Sequence, residues 1–207
     1  MTQYFNLHPD NPQQRLVSQA VAIIRSGGLI VYPTDSGYAL GCHIGDKKAL
    51  DRIRKIRKLD NKHNFTLICR DLSELANFAR VDNASFRVIK NHTPGPYTFI
   101  LRASPEVPKR LQHPKRKTIG IRVPDNQIAL AILESLGEPL MSTSLIMPDE
   151  DFTLVDEDDI YEKLNGRVDL IIHGGATSDI PTTVVDMVEG FPQVIRHGAG
   201  NPEEFES

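Results

Sequence analysis

Apolar residues at Leu16, Val17, Ala20, Val21, Ile23 and Ile24 recur with the spacing of an amphipathic helix. Asn11 before Pro12 supplies a cap and a first-turn proline, and Gly27-Gly28 stops the run. Positions 29–32 are uniformly apolar and end on Pro33, which predicts a short strand; 34–38 have turn composition and 39–42 resume as a strand. Asp46 then opens a helix to about 58, 65–69 read as a strand, Asp71 with Glu74 caps a short helix, and Asp82 opens another to about 91. Strands follow at 97–102 and 118–123, a helix from Asn126 to 136, a strand at 140–144, a helix at 156–164 and a buried strand at 168–172. The pattern closes on a hairpin-like pair, 182–186 and 193–196. This interleaving predicts an α/β chain with a twisted, open, mixed sheet and flanking helices.

With 207 residues and 40% hydrophobic content, the chain is long enough for one sizeable core. A single domain is expected over 1–207, with its core at about 14–200 and a frayed polar tail over 201–207. No apolar run approaches the ~20 residues that span a bilayer, and the amino terminus lacks a signal-peptide pattern. Cys42 and Cys69 sit among apolar residues, poor material for a disulfide framework or a zinc site. These features point to a soluble protein of the reducing cytoplasm without a membrane partner.

Charge changes the picture more than composition does. Positions 46–70 hold nine Lys or Arg against three Asp, although the whole chain carries a formal charge of only -3. Helical spacing puts at least two of these cations on one face, where they repel unless an anion screens them. A second stretch, 109–122, carries Lys109, Arg110, Lys115, Arg116, Lys117 and Arg122 with no acid, so the two segments are expected to form two walls of a cleft. With Arg52 and Lys58, the first five of these also make a candidate patch for RNA phosphates. Positions 149–169 hold nine acids, an acidic lobe to which no chemistry is assigned.

Strand ends followed by Gly, Ser and Thr turns are where open α/β sheets hold ligands. Thr34-Asp35-Ser36-Gly37, Ser142-Thr143-Ser144 and Thr182-Thr183 are three such ends, and Thr118 and Arg122 share one side of a strand. Tyr32-Pro33-Thr34-Asp35-Ser36-Gly37-Tyr38, Lys55-Ile56-Arg57, Pro94-Gly95-Pro96-Tyr97-Thr98, Thr118-Ile119-Gly120-Ile121-Arg122, Ser142-Thr143-Ser144 and Thr182-Thr183-Val184-Val185-Asp186 resemble the successive signature blocks of the YrdC/YciO family, in detail the YciO branch.

The resemblance implies a positively charged central cavity and an activity that joins ATP, L-threonine and bicarbonate into threonylcarbamoyl-AMP, releasing pyrophosphate, for modification of adenosine 37 in transfer RNA. On that likeness Lys55, Arg57, Thr118, Ser144 and Arg196 hold the nucleotide, and Ser36, Arg122, Ser142 and Thr182 surround threonine. Mg²⁺ arrives with ATP, and neither a tightly bound cofactor nor a protein nucleophile is required. One departure matters. Synthases carry S-x-N where this chain reads Ser144-Leu145-Ile146, and losing one polar contact at a reacting phosphate costs on the order of 10² in rate. The alternative is a protein that binds double-stranded or transfer RNA without synthase activity. A hydrolase using Asp35 or His43 is a third reading, and the histidines show no metal spacing.

Overall fold

The computed structural model describes residues 1–60 and 62–206. Its strands are β1 (Gln3–Asn6), β2 (Ile30–Thr34), β3 (Gly37–His43), β4 (Thr66–Ile68), β5 (Ala79–Arg80), β6 (Tyr97–Ala103), β7 (Thr118–Arg122), β8 (Leu140–Ser144), β9 (Leu170–His173), β10 (Thr183–Asp186) and β11 (Gln193–Arg196). They form one mixed sheet in the order β1-β9-β2-β3-β8-β4-β7-β6-β10-β11, with β5 paired to β6. Parallel β2/β9, β4/β7 and β6/β10 alternate with antiparallel β2/β3, β3/β8, β4/β8 and β6/β7.

Helices follow the cap chemistry closely. The helices α2 (Lys47–Arg57), α3 (Leu72–Phe78), α4 (Asn83–Asn91), α5 (Gln127–Leu136) and α6 (Glu157–Leu164) start after Asp46, Asp71, Asp82, Asn126 and Asp156, each of whose side chains accepts a first-turn backbone N–H. The first helix, α1 (Gln14–Arg25), begins two residues beyond Pro12 and has no side-chain cap.

The two sheet faces are covered unequally, and that inequality makes the site. One face carries Leu40, Leu67, Phe99, Ile119 and Ile121 against apolar residues of α2, α3, α4 and α6. On the other, α1 and α5 cover Ile30, Tyr32, Ala39, Leu140 and Leu170, and this second core reaches only as far as Ile68. Beyond it the same face presents Thr66, Gly120, Thr98 and Thr182 to a hollow. A side chain at Gly120 would crowd Thr66 and Thr98, so the residue keeps the floor clear.

Three features depart from the sequence reading. Strand β1 pairs in parallel with β9, 167 positions away at Gln3 and Leu170, and β5 is a two-residue strand. The carboxyl terminus is not frayed through 206: Pro202–Phe205 form a 3-10 turn, and Phe205 is buried against His92, Tyr97 and Phe99. No described helix is long and apolar enough to cross a membrane.

Candidate anion-binding cavity

The hollow encloses about 250 Å³ between the uncovered half of the sheet, the end of α2, the loop before β4 and strand β11. That is below the ~300–1,000 Å³ usual for a fully enclosed small ligand, so only part of a ligand of that size would fit inside it. Its two cations come from distant parts of the chain. Arg57, the last residue of α2, reaches the end of β8, where Nη1 donates to Thr143 Oγ1 at 2.7 Å and to the Ser144 carbonyl at 2.6 Å. Arg196, the last residue of β11, donates through Nε and Nη2 to the Thr182 carbonyl at 3.0 and 2.8 Å and through Nη2 to Thr182 Oγ1 at 3.0 Å. Thr182 and Thr98 share a hydroxyl hydrogen bond of 2.8 Å.

Among the described residues, neither Arg57 nor Arg196 has a carboxylate within ion-pair distance, whereas Arg122 pairs with Asp35, Arg52 with Asp169, Arg54 with Asp51 and Arg116 with Asp186. Burial, then repulsion from Arg196, lowers the Arg57 guanidinium to about 10. Burial, then repulsion from Arg122, lowers that of Arg196. Arg57 Nε is buried with no acceptor. Two guanidinium groups without counter-ions, Arg57 half-buried and Arg196 at the exposed rim, make a site that favours an anion.

The lining also includes the apolar side chains of Ile100, Ile146, Val184 and Ile195, of which Ile195 is 53% exposed. Ile146 therefore lines the hollow.

At the other end of the exposed face, the β2/β3 hairpin folds over Arg122. Gly37 has φ +103°, a conformation that favours glycine, and Thr34 Oγ1 donates to its carbonyl at 2.6 Å. Arg122, 4% exposed, donates through Nη2 to Thr34 Oγ1 at 3.2 Å and to the Asp35 carboxylate. Its Nε is a buried donor without an acceptor.

The proposed site residues divide into groups. Arg57, Ser144, Thr182 and Arg196 line the hollow together. Ser36 and Ser142 lie buried toward the hairpin end with internal partners: Ser36 N donates to Thr34 Oγ1, and Ser142 Oγ bonds Tyr32 Oη at 2.6 Å and the Leu40 carbonyl at 2.8 Å. Burial holds the Tyr32 hydroxyl up at about 12, so it stays protonated in this pair. Thr118 is fully buried, lies outside the lining and has an unpartnered hydroxyl. Lys55 is exposed and also outside the lining. At about 100° per residue, positions two apart leave a helix on opposite sides, so of the two only Arg57 lines the hollow.

The second basic stretch is not a wall of this cavity; β10 and β11 are. Nor do the patch residues form one surface: Arg52 is taken up by Asp169, Arg110 by the Gly45 carbonyl and Arg116 by Asp186, while Lys58, Lys109, Lys115 and Lys117 are exposed. Asp35 and His43 are not free acids or bases. The first holds Arg122 and the Asp125 N–H, and the second pairs with Glu138 at 2.6 Å.

Sequence reasoning missed His63, Asn64 and Thr98 as lining residues. Burial, then the Arg57 cation, holds the His63 imidazole down at about 4, and its Nε2 lies 3.4 Å from Thr143 Oγ1. Asn64 Oδ1 is a buried acceptor without a donor. Thr98 lies inside the Pro94–Thr98 signature block, so for it a signal was present.

Comparison with known proteins gives the chain's relatives and its fold. A family model for Sua5, YciO and YrdC proteins, described as "Telomere recombination", matches residues 22–198. The uncharacterized protein YciO of Escherichia coli is 59% identical over 205 residues, 99% of this chain and 100% of its own. The crystal structure of E. coli YciO superposes with a TM-score of 0.97, covering 99% and 100% of the two chains. A threonylcarbamoyl-AMP synthase of Chromobacterium violaceum is 36% identical over 137 residues, 66% of this chain and 70% of its own. P. abyssi Sua5 complexed with L-threonine superposes with a TM-score of 0.90 at 26% identity, covering 99% of this chain and 60% of that one. With the model match spanning most of the sequence and the fold shared end to end, the chain belongs to the Sua5/YciO/YrdC family.

Proposed function

We propose that this protein binds ATP with its phosphates on Arg57 and Arg196, and that it carries out the threonylcarbamoyl-AMP synthase type of reaction slowly because Ile146 faces the nucleotide. The observation that carries this reading is the pair of guanidinium groups at the hollow, Arg57 half-buried and Arg196 at the exposed rim, with no carboxylate partner among the described residues. The names of the Chromobacterium synthase and of Sua5 with L-threonine support the same chemistry.

On this reading Arg57 and Arg196 neutralise charge on the phosphates, and the Thr182 and Ser144 hydroxyls orient them. The unpartnered Arg122 Nε donates to the substrate carboxylate at the hairpin end, where Asp35 keeps the guanidinium in place. Mg²⁺ bound with ATP offsets the charge of the departing pyrophosphate. No side chain becomes covalently attached. Catalysis is positioning in a cation-rich hollow, and Ile146 removes one polar contact at the reacting end.

Pyrophosphate release with ATP, Mg²⁺, L-threonine and bicarbonate tests the proposal in the wild type and in Ile146→Asn. Slow release in the first and release on the order of 10²-fold faster in the second are expected. Equal rates in the two proteins would remove Ile146 from the account. No release from either, with ATP bound, would remove the reaction class and leave the nucleotide site.

A further inference from the structure

A second concentration of positive charge lies on the same sheet face, outside the cavity; it shares Arg116 and Lys117 with the patch read from the sequence and adds Arg80 and Arg102. Arg80 of β5 and Arg102 of β6 are directly opposed across an antiparallel ladder, so their side chains leave the same face next to one another. Like charges so placed repel. Among the described residues Arg80 has no carboxylate partner, and Arg102 has only Glu189 at 3.8 Å, both side chains being more than half exposed. Arg80 and Arg102 also line both of two adjoining clefts, of about 300 and 340 Å³. The first adds Arg116 and Lys117 and contains no acid. The second contains Asp82, whose carboxylate is already occupied by Ser85 N at 2.8 Å and Ser85 Oγ at 3.1 Å.

The register relates these clefts to the cavity. Thr98, Ile100 and Arg102 alternate onto one face of β6, and Thr98 and Ile100 line the cavity. Four residues of strand set Arg102 about 14 Å from Thr98. Arg116 bridges the interval: it pairs with Asp186 at 2.7 Å, and Asp186 stands opposite Ile100. No aromatic side chain lines either cleft, so nothing there stacks on a base. Arg80 and Arg102 on an open surface match phosphate oxygens, which guanidinium forks grip two at a time, while Arg116, held through Nη2 by Asp186, and Lys117, whose Nζ donates to the Pro114 carbonyl at 2.8 Å, add positive charge beside them.

We propose that Arg80, Arg102, Arg116 and Lys117 form an accessory phosphate-binding site beside the nucleotide cavity. It takes a phosphate group, either of a small free oligophosphate or of a nucleic-acid backbone that continues along the sheet from the cavity. A duplex strand advances ~3.4 Å per phosphate, so about four phosphates cover the interval.

The site is isolated by removing the cavity cations. In Arg57→Ala/Arg196→Ala protein, binding of pyrophosphate and of a labelled eight-nucleotide single-stranded RNA is measured at 50 and 200 mM salt, with and without Arg80→Ala/Arg102→Ala. Residual binding that weakens at least tenfold on adding the second pair, and survives Arg80→Lys/Arg102→Lys in part, is expected. Loss in the pyrophosphate arm alone marks the free oligophosphate as the ligand; loss in the RNA arm, with the salt slope reduced by about 1.4, marks the backbone. The melting temperature of the Arg80→Ala/Arg102→Ala protein should stay level or rise, because a repulsion has been relieved. Unchanged binding of both probes overturns the proposal, as does loss of binding that comes only with a lowered melting temperature. ATP titration of the same Arg80→Ala/Arg102→Ala pair on the wild-type cavity keeps the two sites distinct: unchanged ATP affinity is expected, and a parallel loss would assign these arginines to the cavity instead.

Discussion

Replacing His63 by Gln removes a group whose ionisation opposes folding. The imidazole is held down at about 4 by burial first, then by Arg57, with Arg196 and Arg54 acting the same way and Asp60 opposing them. In the unfolded chain it titrates near 6.5. Between those values the unfolded state binds the proton and the folded state does not, so the wild type gains stability as pH rises through this window and loses it as pH falls. From pH 7.5 to pH 5.0 the cost from this one group is about 2 kcal/mol. His63→Gln should abolish that component. Urea unfolding of both proteins at the two pH values measures it: the stability difference between wild type and variant should change by about 2 kcal/mol in favour of the variant at the lower pH. A difference that is the same at both pH values would show that His63 is not shielded from protons beside Arg57, and that the cavity is wetter and less cationic than described.

Three further outcomes follow from the same geometry. A polyphosphate seated on Arg57 offsets the charge that suppresses His63, so ATP binding at pH 5.5 should take up protons, read as a buffer-dependent enthalpy in calorimetry, and His63→Gln should lose that dependence. Arg122→Met strands the Asp35 carboxylate, which is only 11% exposed, and should cost about 3–5 kcal/mol, lowering the melting temperature by about 10 °C; a shift under 2 °C would mean that the pair contributes nothing to folding. Phe205→Ala should cost about 3 kcal/mol or more by urea unfolding, since the ring packs 4.4 Å from His92 and 5.5 Å from Tyr97, centroid to centroid, whereas a free tail would show no change.

Much of the fold was legible because local chemistry and tertiary structure agree. Asp46, Asp71, Asp82 and Asn126 stand where side chains cap α2 to α5, and the strand read at 140–144 is β8. What was not legible depends on distant partners. Gln3–Asn6 is a strand because Leu170–His173 pairs with it, and four residues of mixed polarity carry no such signal alone. The carboxyl-terminal turn is ordered by one aromatic ring in a largely acidic tail, a pattern that read as solvated.

The site was legible in part for the same reason. Arg57 and Arg196 stood out through charge and motif, but their spacing said nothing of Lys55 leaving the other side of α2. His63 sits in a polar stretch that reads as a surface loop. Only the folded chain shows it turned inward, against Phe65 at 5.3 Å between ring centroids and toward Thr143. The pairing of Arg122 with Asp35 was likewise invisible, since 87 positions separate them.

Arg57 and Arg196, without carboxylate partners among the described residues, are the proposed seat of a polyphosphate. Calorimetric titration of ATP with Mg²⁺ at pH 7.5 into wild type and Arg57→Met/Arg196→Met tests it most directly. The account predicts saturable binding below millimolar ATP in the wild type and affinity lower by at least about 100-fold in the variant, from two charge-assisted contacts of about 1.5–3 kcal/mol each. An absence of heat from the wild type at millimolar ATP, or equal affinity in both proteins, would contradict it.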